Sequence, residues 1–226
     1  MPLAESTGPP KKRLLVVDDH PILRRGLTAL VESEPDLVVQ AAVGTRTAAL
    51  EAIRENQPDL AIVDLALGDD DGLDLVKEIK TRYPKIPSLV LSVHDETVYA
   101  ERALSAGALG YVTKEQLEKT VLGAIRCTLA GERYMSVVLQ RRLAERYVRG
   151  RTLDTDSPIG TLSDRELQVF RLVGQGRTTR QIAGTLTRSI KTIESHIEHI
   201  KNKLGILSAP ELAQRASLWV ESGRTG

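Results

Sequence analysis

The chain has 226 residues, 41% of them hydrophobic, and a formal net charge of +1, enough for two domains with packed cores. No apolar run approaches the ~18 residues of a membrane span, and the single cysteine, Cys127, excludes an internal disulfide and fits a reducing, cytoplasmic setting. The charge is unevenly spread: 14 basic against 20 acidic residues from Arg13 to Arg133, then 10 against 6 from Thr161 to the end. This points to a cation or phosphate site in the first part and a polyanion partner for the last. The leading stretch, MPLAESTGPPKKR, is polar and reads as a disordered lead-in.

Leu14 to Val17 is an apolar run ending in Asp18-Asp19-His20, and Pro21 opens a helix carrying Ile22, Leu23, Leu27, Leu30 and Val31. Leu37-Val38-Val39 begins a second strand, and Thr45 caps a helix carrying Ala48, Ala49, Leu50, Ala52 and Ile53. Leu60 to Val63 is a third strand, uninterrupted by polar residues and closed by Asp64; Gly68 to Gly72 then turns into a helix bearing Leu73, Leu75, Val76 and Ile79. Leu89-Val90-Leu91 ends in Ser92, and the helix after it closes at Gly107. Gly110 to Thr113 ends in Lys114, and Leu117 to Leu129 forms a fifth helix. Five strands alternating with five helices predict an α/β fold, a flavodoxin-like, doubly wound, five-stranded parallel sheet of order 2-1-3-4-5.

The residues ending those strands carry the chemistry. Asp18 and Asp19 on the first strand lie beside Asp64 on the third at the carboxyl edge, where such sheets bind ligands. Three carboxylates this close call for a neutralising cation, and an oxygen-rich set suits Mg²⁺. With Lys114 and Ser92 added, the set can stabilise a phosphoryl group in transfer, and Asp64 can accept it as an aspartyl phosphate.

These residues (DDH at 18–20, Asp64, DG at 71–72, Ser92 and GYVTK at 110–114) resemble the receiver domain of two-component response regulators, over residues 13–134. The resemblance implies that Asp64 takes a phosphoryl group from a sensor histidine kinase. It also implies that Asp18, Asp19, Asp64 and the Ala66 backbone carbonyl hold Mg²⁺, that Ser92 and Lys114 bind phosphoryl oxygens, and that Tyr111 is an aromatic switch. Gly68 departs from the family's usual proline. Ala66 and His94, each two places beyond a site residue, are expected to flank the path of an attacking water; Ala66 cannot orient that water, and His94→Ala is expected to change the dephosphorylation rate.

Met135 to Arg149 reads as an amphipathic helix with arginines at 141, 142, 146 and 149, and Gly150 to Gly160 as a tether, so that 135–160 forms a linker. From 161 to 226 the periodicity predicts a small all-α domain. Ser163 and Glu166 make a capping box, a short helix follows Thr178 or Thr179, a third runs from about Lys191 to Leu204, and a fourth spans Leu212 to Trp219. Two short helices about a tight turn, with basic balance, form a helix-turn-helix. LSDRE, GQG, QIA and KTIESHIEHIKNKLGI are similar to the LuxR-type helix-turn-helix. The whole chain therefore resembles a NarL/FixJ-family response regulator, which implies binding to double-stranded promoter DNA as a homodimer when phosphorylated.

On that reading Lys191, Thr192, Glu194, Ser195 and Glu198 face the major groove, while Arg180, Arg188, Lys201 and Lys203 contact phosphates. Glu194 and Glu198 stand where some relatives carry lysine. The expected dimer surfaces are the exposed faces of the first and fifth helices of the receiver and of the last helix, around Leu212 to Trp219. A rival reading, a phosphatase with an aspartyl nucleophile, needs a second acid at D-x-D, and Asp64-Leu65-Ala66 lacks it. The chain is therefore expected to be no turnover enzyme.

Overall fold

The structure is a computed structural model that describes residues 10–68, 70–93, 96–148 and 158–222. Residues 1–9 of the expected lead-in, His94, Arg149 and most of the expected tether lie outside the described residues, as do the side chains of Arg142 and Arg146, whereas Lys12 and Arg13, expected in the disordered lead-in, begin the first strand. The chain divides into two compact units, 1–150 and 151–226.

In the first unit, β1 (Lys12–Val17), β2 (Leu37–Val43), β3 (Leu60–Val63), β4 (Ser88–Ser92) and β5 (Gly110–Thr113) form one sheet. It is parallel throughout, in the order β2-β1-β3-β4-β5. The helices between them are α1 (Pro21–Glu32), α2 (Arg46–Asn56), α3 (Gly72–Arg82), α4 (Glu96–Ala106) and α5 (Leu117–Leu129). β3 and β4 are buried along their whole length, because helices cover both faces of the sheet. Leu14, Val16, Leu60, Ile62, Leu89 and Leu91 meet Leu27, Val31, Val121 and Ile125 in one apolar cluster.

Local signals in the sequence explain the helix ends. Thr45 accepts a hydrogen bond from the Ala48 amide and caps α2. Asp71 does the same for α3 through the Leu73 amide. Between β3 and α3 the chain forms a feature that periodicity did not predict, a two-residue antiparallel ladder pairing Ala66–Leu67 with Asp70–Asp71. It returns the chain so tightly that a Cβ on Gly72 would sit 2.1 Å from the Asp64 carbonyl oxygen, which is why only glycine fits there.

The expected linker helix is α6 (Val137–Val148), and its first turn packs on the first unit, with Leu139 fully buried. The end of the expected tether is ordered instead of irregular: Pro158–Thr161 makes a 3₁₀ turn closed by the Thr161 hydroxyl on the Pro158 carbonyl.

The second unit is four helices, α7 (Asp164–Gly174), α8 (Thr179–Thr185), α9 (Ile190–Leu204) and α10 (Ala209–Ser222). Capping boxes start α7, from Ser163 and Glu166, and α8, from Thr178 and Gln181. Ser189 caps α9 through the Thr192 amide. Phe170, Ile182, Ile193, Ile200, Leu212 and Ala216 form the core, and Trp219 lies against Phe170 at 5.8 Å between ring centroids.

Candidate functional site

The switch from β1 to β3 at the sheet's centre brings two strand ends side by side. Val17 pairs with Val63, and the Asp64 amide donates to the Val17 carbonyl at 2.8 Å. Asp18 and Asp64 thus follow paired residues on adjacent strands, both buried. Lys114, the residue after β5, reaches across and donates to Asp18 Oδ2 and Asp64 Oδ2, each at 2.7 Å. Asp19 holds the turn, accepting from the Gly68 amide at 2.9 Å. Ligand atoms of Asp18, Asp19, His20 and Asp64 all lie within 4.8 Å of one another. Of the residues expected from sequence, Asp18, Asp19, Asp64 and Lys114 are brought together, and Ala66 begins the ladder two residues past Asp64.

Ser92 is fully buried at the end of β4, and Tyr111 on β5 is also buried, so the aromatic ring is already inside. Sequence reasoning missed two contributors. The Arg24 guanidinium of α1 donates to the Asp18 carbonyl, and His20 Nδ1 lies 2.7 Å from Asp19 Oδ1 without hydrogen-bond alignment. His20 was visible as the third letter of DDH; Arg24 left no comparable signal, because its reach depends on how α1 lies on the sheet.

Electrostatically the site is unfinished. The Asp64 carboxyl is pushed up to about 6 from its ordinary value, chiefly by burial. The Lys114 charge opposes this, Asp18 adds to it, and the Lys114 hydrogen bond and the nearby Ala66 amide dipole act against it. Burial thus outweighs the like-charge repulsion that the sequence alone brings to mind. Asp64 Oδ1 and Asp19 Oδ1 are buried with no hydrogen-bond partner. Buried acceptors left unpaired are costly, and a hard dication with a taste for carboxylate oxygens satisfies them. The donor set therefore fits Mg²⁺.

In the second unit, Lys191, Glu194, Ser195 and Glu198 are exposed on α9, and Arg180 is exposed on α8. Thr192 is half-buried and its hydroxyl lies 2.8 Å from that of Ser189, so it works at the helix start. Arg188 and Lys201 are half-buried, and Lys201 pairs with Glu198 at 2.6 Å. Lys203 differs from its expected role as a phosphate contact. Its ammonium donates to the buried Glu166 at 2.6 Å and ties α9 to the start of α7. On the last helix Leu212 and Ala216 are buried, and Leu218 is the exposed apolar residue of the stretch expected to offer a dimer surface.

Comparison with known proteins then bears on both units. The family described as "Response regulator receiver domain" matches residues 14–126, and "Bacterial regulatory proteins, luxR family" matches residues 160–216. The oxygen regulatory protein NreC of Staphylococcus aureus is 32% identical over 208 residues, covering 90% of this chain and 96% of that protein. This chain belongs to the NarL/FixJ family of two-component response regulators. Among solved structures, a LuxR-family response regulator from Aurantimonas sp. SI85-9A1 is 34% identical, with a TM-score of 0.57 over 61% of this chain and 99% of that one. RcsB of Salmonella typhimurium is 26% identical, with a TM-score of 0.55 over 92% of this chain and 98% of that one. RcsB has also been solved bound to the promoter rprA in the presence of the phosphomimetic BeF3-. Among the described residues of this response regulator, no helix is long and apolar enough to cross a membrane.

Proposed function

We propose that this response regulator accepts a phosphoryl group on Asp64 from the phosphohistidine of a sensor histidine kinase, and that this alters its dimerisation and its grip on promoter DNA. One observation carries the reading: Lys114 is shared at 2.7 Å by Asp18 and Asp64, while the second oxygen of Asp64 is buried and unpartnered. That oxygen is free to attack phosphorus. A P–O bond forms, the P–N bond to the kinase imidazole breaks, and the imidazole leaves with the electron pair. Lys114 and Ser92 are the groups that receive the phosphoryl oxygens, and Tyr111 is the aromatic switch that follows Ser92. Asp18, Asp19, Asp64 and the Ala66 carbonyl would hold Mg²⁺, which when bound supplies positive charge against the phosphoryl oxygens.

With no second acid two places past Asp64, the aspartyl phosphate is a signal with a finite lifetime instead of a step in substrate turnover. In the second unit, α9 enters the major groove as the second helix of a helix-turn-helix. The Arg180, Arg188 and Lys191 charges meet phosphates, and Glu194, Ser195 and Glu198 face base edges.

Incubation with acetyl phosphate and Mg²⁺, read by intact mass, tests the first half. One phosphoryl group is expected on the wild type and none on Asp64→Asn. A wild type that gains no phosphoryl group would overturn the reading in favour of a regulator that works without phosphorylation. Selection of bound sequences from random DNA, with and without phosphodonor, tests the second half.

A further inference from the structure

The start of α6 is bolted to the elements that carry Ser92 and Lys114. Tyr134 extends the sheet by one position beyond β5. Its amide donates to the Leu109 carbonyl at 2.9 Å, and its carbonyl accepts from the Tyr111 amide at 3.3 Å, a parallel bridge opposite Gly110. Two residues on, the Ser136 hydroxyl donates to Glu96 Oε2 at 2.6 Å, and the Ser136 amide approaches Glu96 Oε1 at 3.4 Å. The same hydroxyl accepts from the Leu139 amide at 3.1 Å, and the Ser136 carbonyl accepts from the Gln140 amide at 3.0 Å. Ser136 is thus the cap of α6, and the cap is itself held by the first residue of α4. Leu139 is fully buried inside this joint, while Val137 and Val138 lie on the open side.

Both attachments lead back to the phosphoacceptor edge. Glu96 stands four residues after Ser92, and Tyr111 lies three residues before Lys114 on a strand paired with β4. A hydrogen bond from a hydroxyl to a carboxylate is strong but depends steeply on distance and angle, so a small displacement of Glu96 is enough to break it. A helix whose cap hydroxyl is lost frays at its first turn.

We propose that the Glu96–Ser136 bond is a latch that passes the state of Asp64 to the linker helix α6. Resting on the phosphoacceptor reading above, it works as follows. A phosphoryl group on Asp64 draws the Ser92 hydroxyl toward its oxygens, α4 shifts at its first residue, Glu96 leaves Ser136, and the first turn of α6 loosens. Glu96 and Ser136 are positioning residues; neither touches the phosphoryl group.

Hydrogen exchange on the full-length chain, with acetyl phosphate and Mg²⁺ as the probe and phosphoryl mass read on the same samples, tests this. In the wild type the Leu139 and Gln140 amides are expected to exchange about fivefold faster once Asp64 is modified, the effect of losing one cap. Ser136→Ala and Glu96→Ala should start at the faster rate and gain nothing from the donor, Ser136→Thr should keep the wild-type response, and Asp64→Asn should show none. Should Glu96→Ala fail to fold, the pair Ser136→Ala and Ser136→Thr decides alone. A phosphorylated wild type with unchanged exchange in α6, or a Ser136→Ala chain that still responds to the donor, overturns the latch. A wild type that gains no phosphoryl group overturns instead the phosphoacceptor reading beneath it.

Discussion

The two units hold their charged residues in opposite ways. At the sheet edge Asp18 and Asp64 are buried, the Lys114 side chain is only 7% exposed, and the three share hydrogen bonds of 2.7 Å. On α9, Lys191, Glu194, Ser195 and Glu198 stand in solvent, and the Glu198–Lys201 pair joins neighbours on one helix. Buried charges interact in a low effective dielectric and cannot fall back on water, so removing one leaves the others exposed to the full cost of burial. Exposed charges are screened, and each contributes a fraction of a kilocalorie to stability. One unit is therefore expected to switch as a set, and the other to read its partner by many small, separable contacts.

The hardest blow to that contrast falls on Lys114. Lys114→Ala leaves two buried carboxylates without their cation, and breaking a buried pair this way costs about 3–5 kcal/mol. We expect the first unit of the metal-free protein to lose that much stability at pH 8. The deficit should shrink toward pH 5, where the Asp64 carboxyl takes up a proton, and Mg²⁺ should restore part of it. Denaturant melts at the two pH values, with and without Mg²⁺, check the outcome. A loss below about 1 kcal/mol would place this lysine with the screened surface charges.

Asp64 sharpens the same point from the other side. Its carboxyl titrates at about 6 in the fold against an ordinary 3.8, so folding favours the protonated form. The sign follows directly. The charged form opposes folding fully above pH 6, and the penalty vanishes below the unfolded value. At ~1.4 kcal/mol per pKa unit the penalty reaches about 3 kcal/mol. Asp64→Asn is therefore expected to stabilise the metal-free protein by up to about 3 kcal/mol at pH 8 and by almost nothing near pH 4, measured by thermal melts in chelator. A residue that weakens the resting fold is what the proposed phosphoacceptor role calls for, and the unpartnered Oδ1 points the same way.

The chain order of strands and helices was legible because each strand is a short apolar run ended by a polar residue. The strand order followed from the crossover rule, and the site from which residues end the strands. Lys114, 50 positions from Asp64, arrives at hydrogen-bond distance by topology alone. What stayed hidden depends on angles between elements. The Ala66–Leu67 ladder is too short for periodicity to register. The Glu96–Ser136 bond spans 40 residues and needs the exact lie of α6. In the second unit the caps at Ser163 and Thr178 were legible, because a capping box is a local pattern. The diversion of Lys203 to Glu166 was not, since a lysine late in a basic helix reads as a phosphate contact until the helix packing is known.

That diversion supplies a charge in the second unit that behaves like those of the first. Burial alone would raise the Glu166 carboxyl, yet Lys203 and the Ser163 amide and hydroxyl together hold it below the usual carboxylate range. Its contribution to stability is thus present at neutral pH and is lost as pH falls through that lowered value. Glu166→Ala removes both the ion pair and the capping box, and should cost about 1–2 kcal/mol in the melting of the second unit. Lys203→Ala should cost less, because the capping box survives, and should leave the salt dependence of DNA binding almost unchanged. A drop in salt slope of about one for Lys203→Ala would return it to the phosphate contacts.

Glu194 gives the smallest and most selective effect. It is exposed, belongs to no ion pair among the described residues, and repels phosphates wherever α9 approaches DNA. Its carboxylate gains something only where a base offers a donor, as cytosine does through its N4 amino group. Glu194→Ala should therefore leave affinity for random DNA equal or slightly tighter. Discrimination at one base pair should fall by about 1–3 kcal/mol, read by competition between the selected site and its single-base variants. Glu198 shares its charge with Lys201, and the same substitution there should shift specificity less. Equal losses on specific and random DNA for Glu194→Ala would show that its role is helix stability, and the contrast between a buried switch and an exposed reader would lose its sequence-reading half.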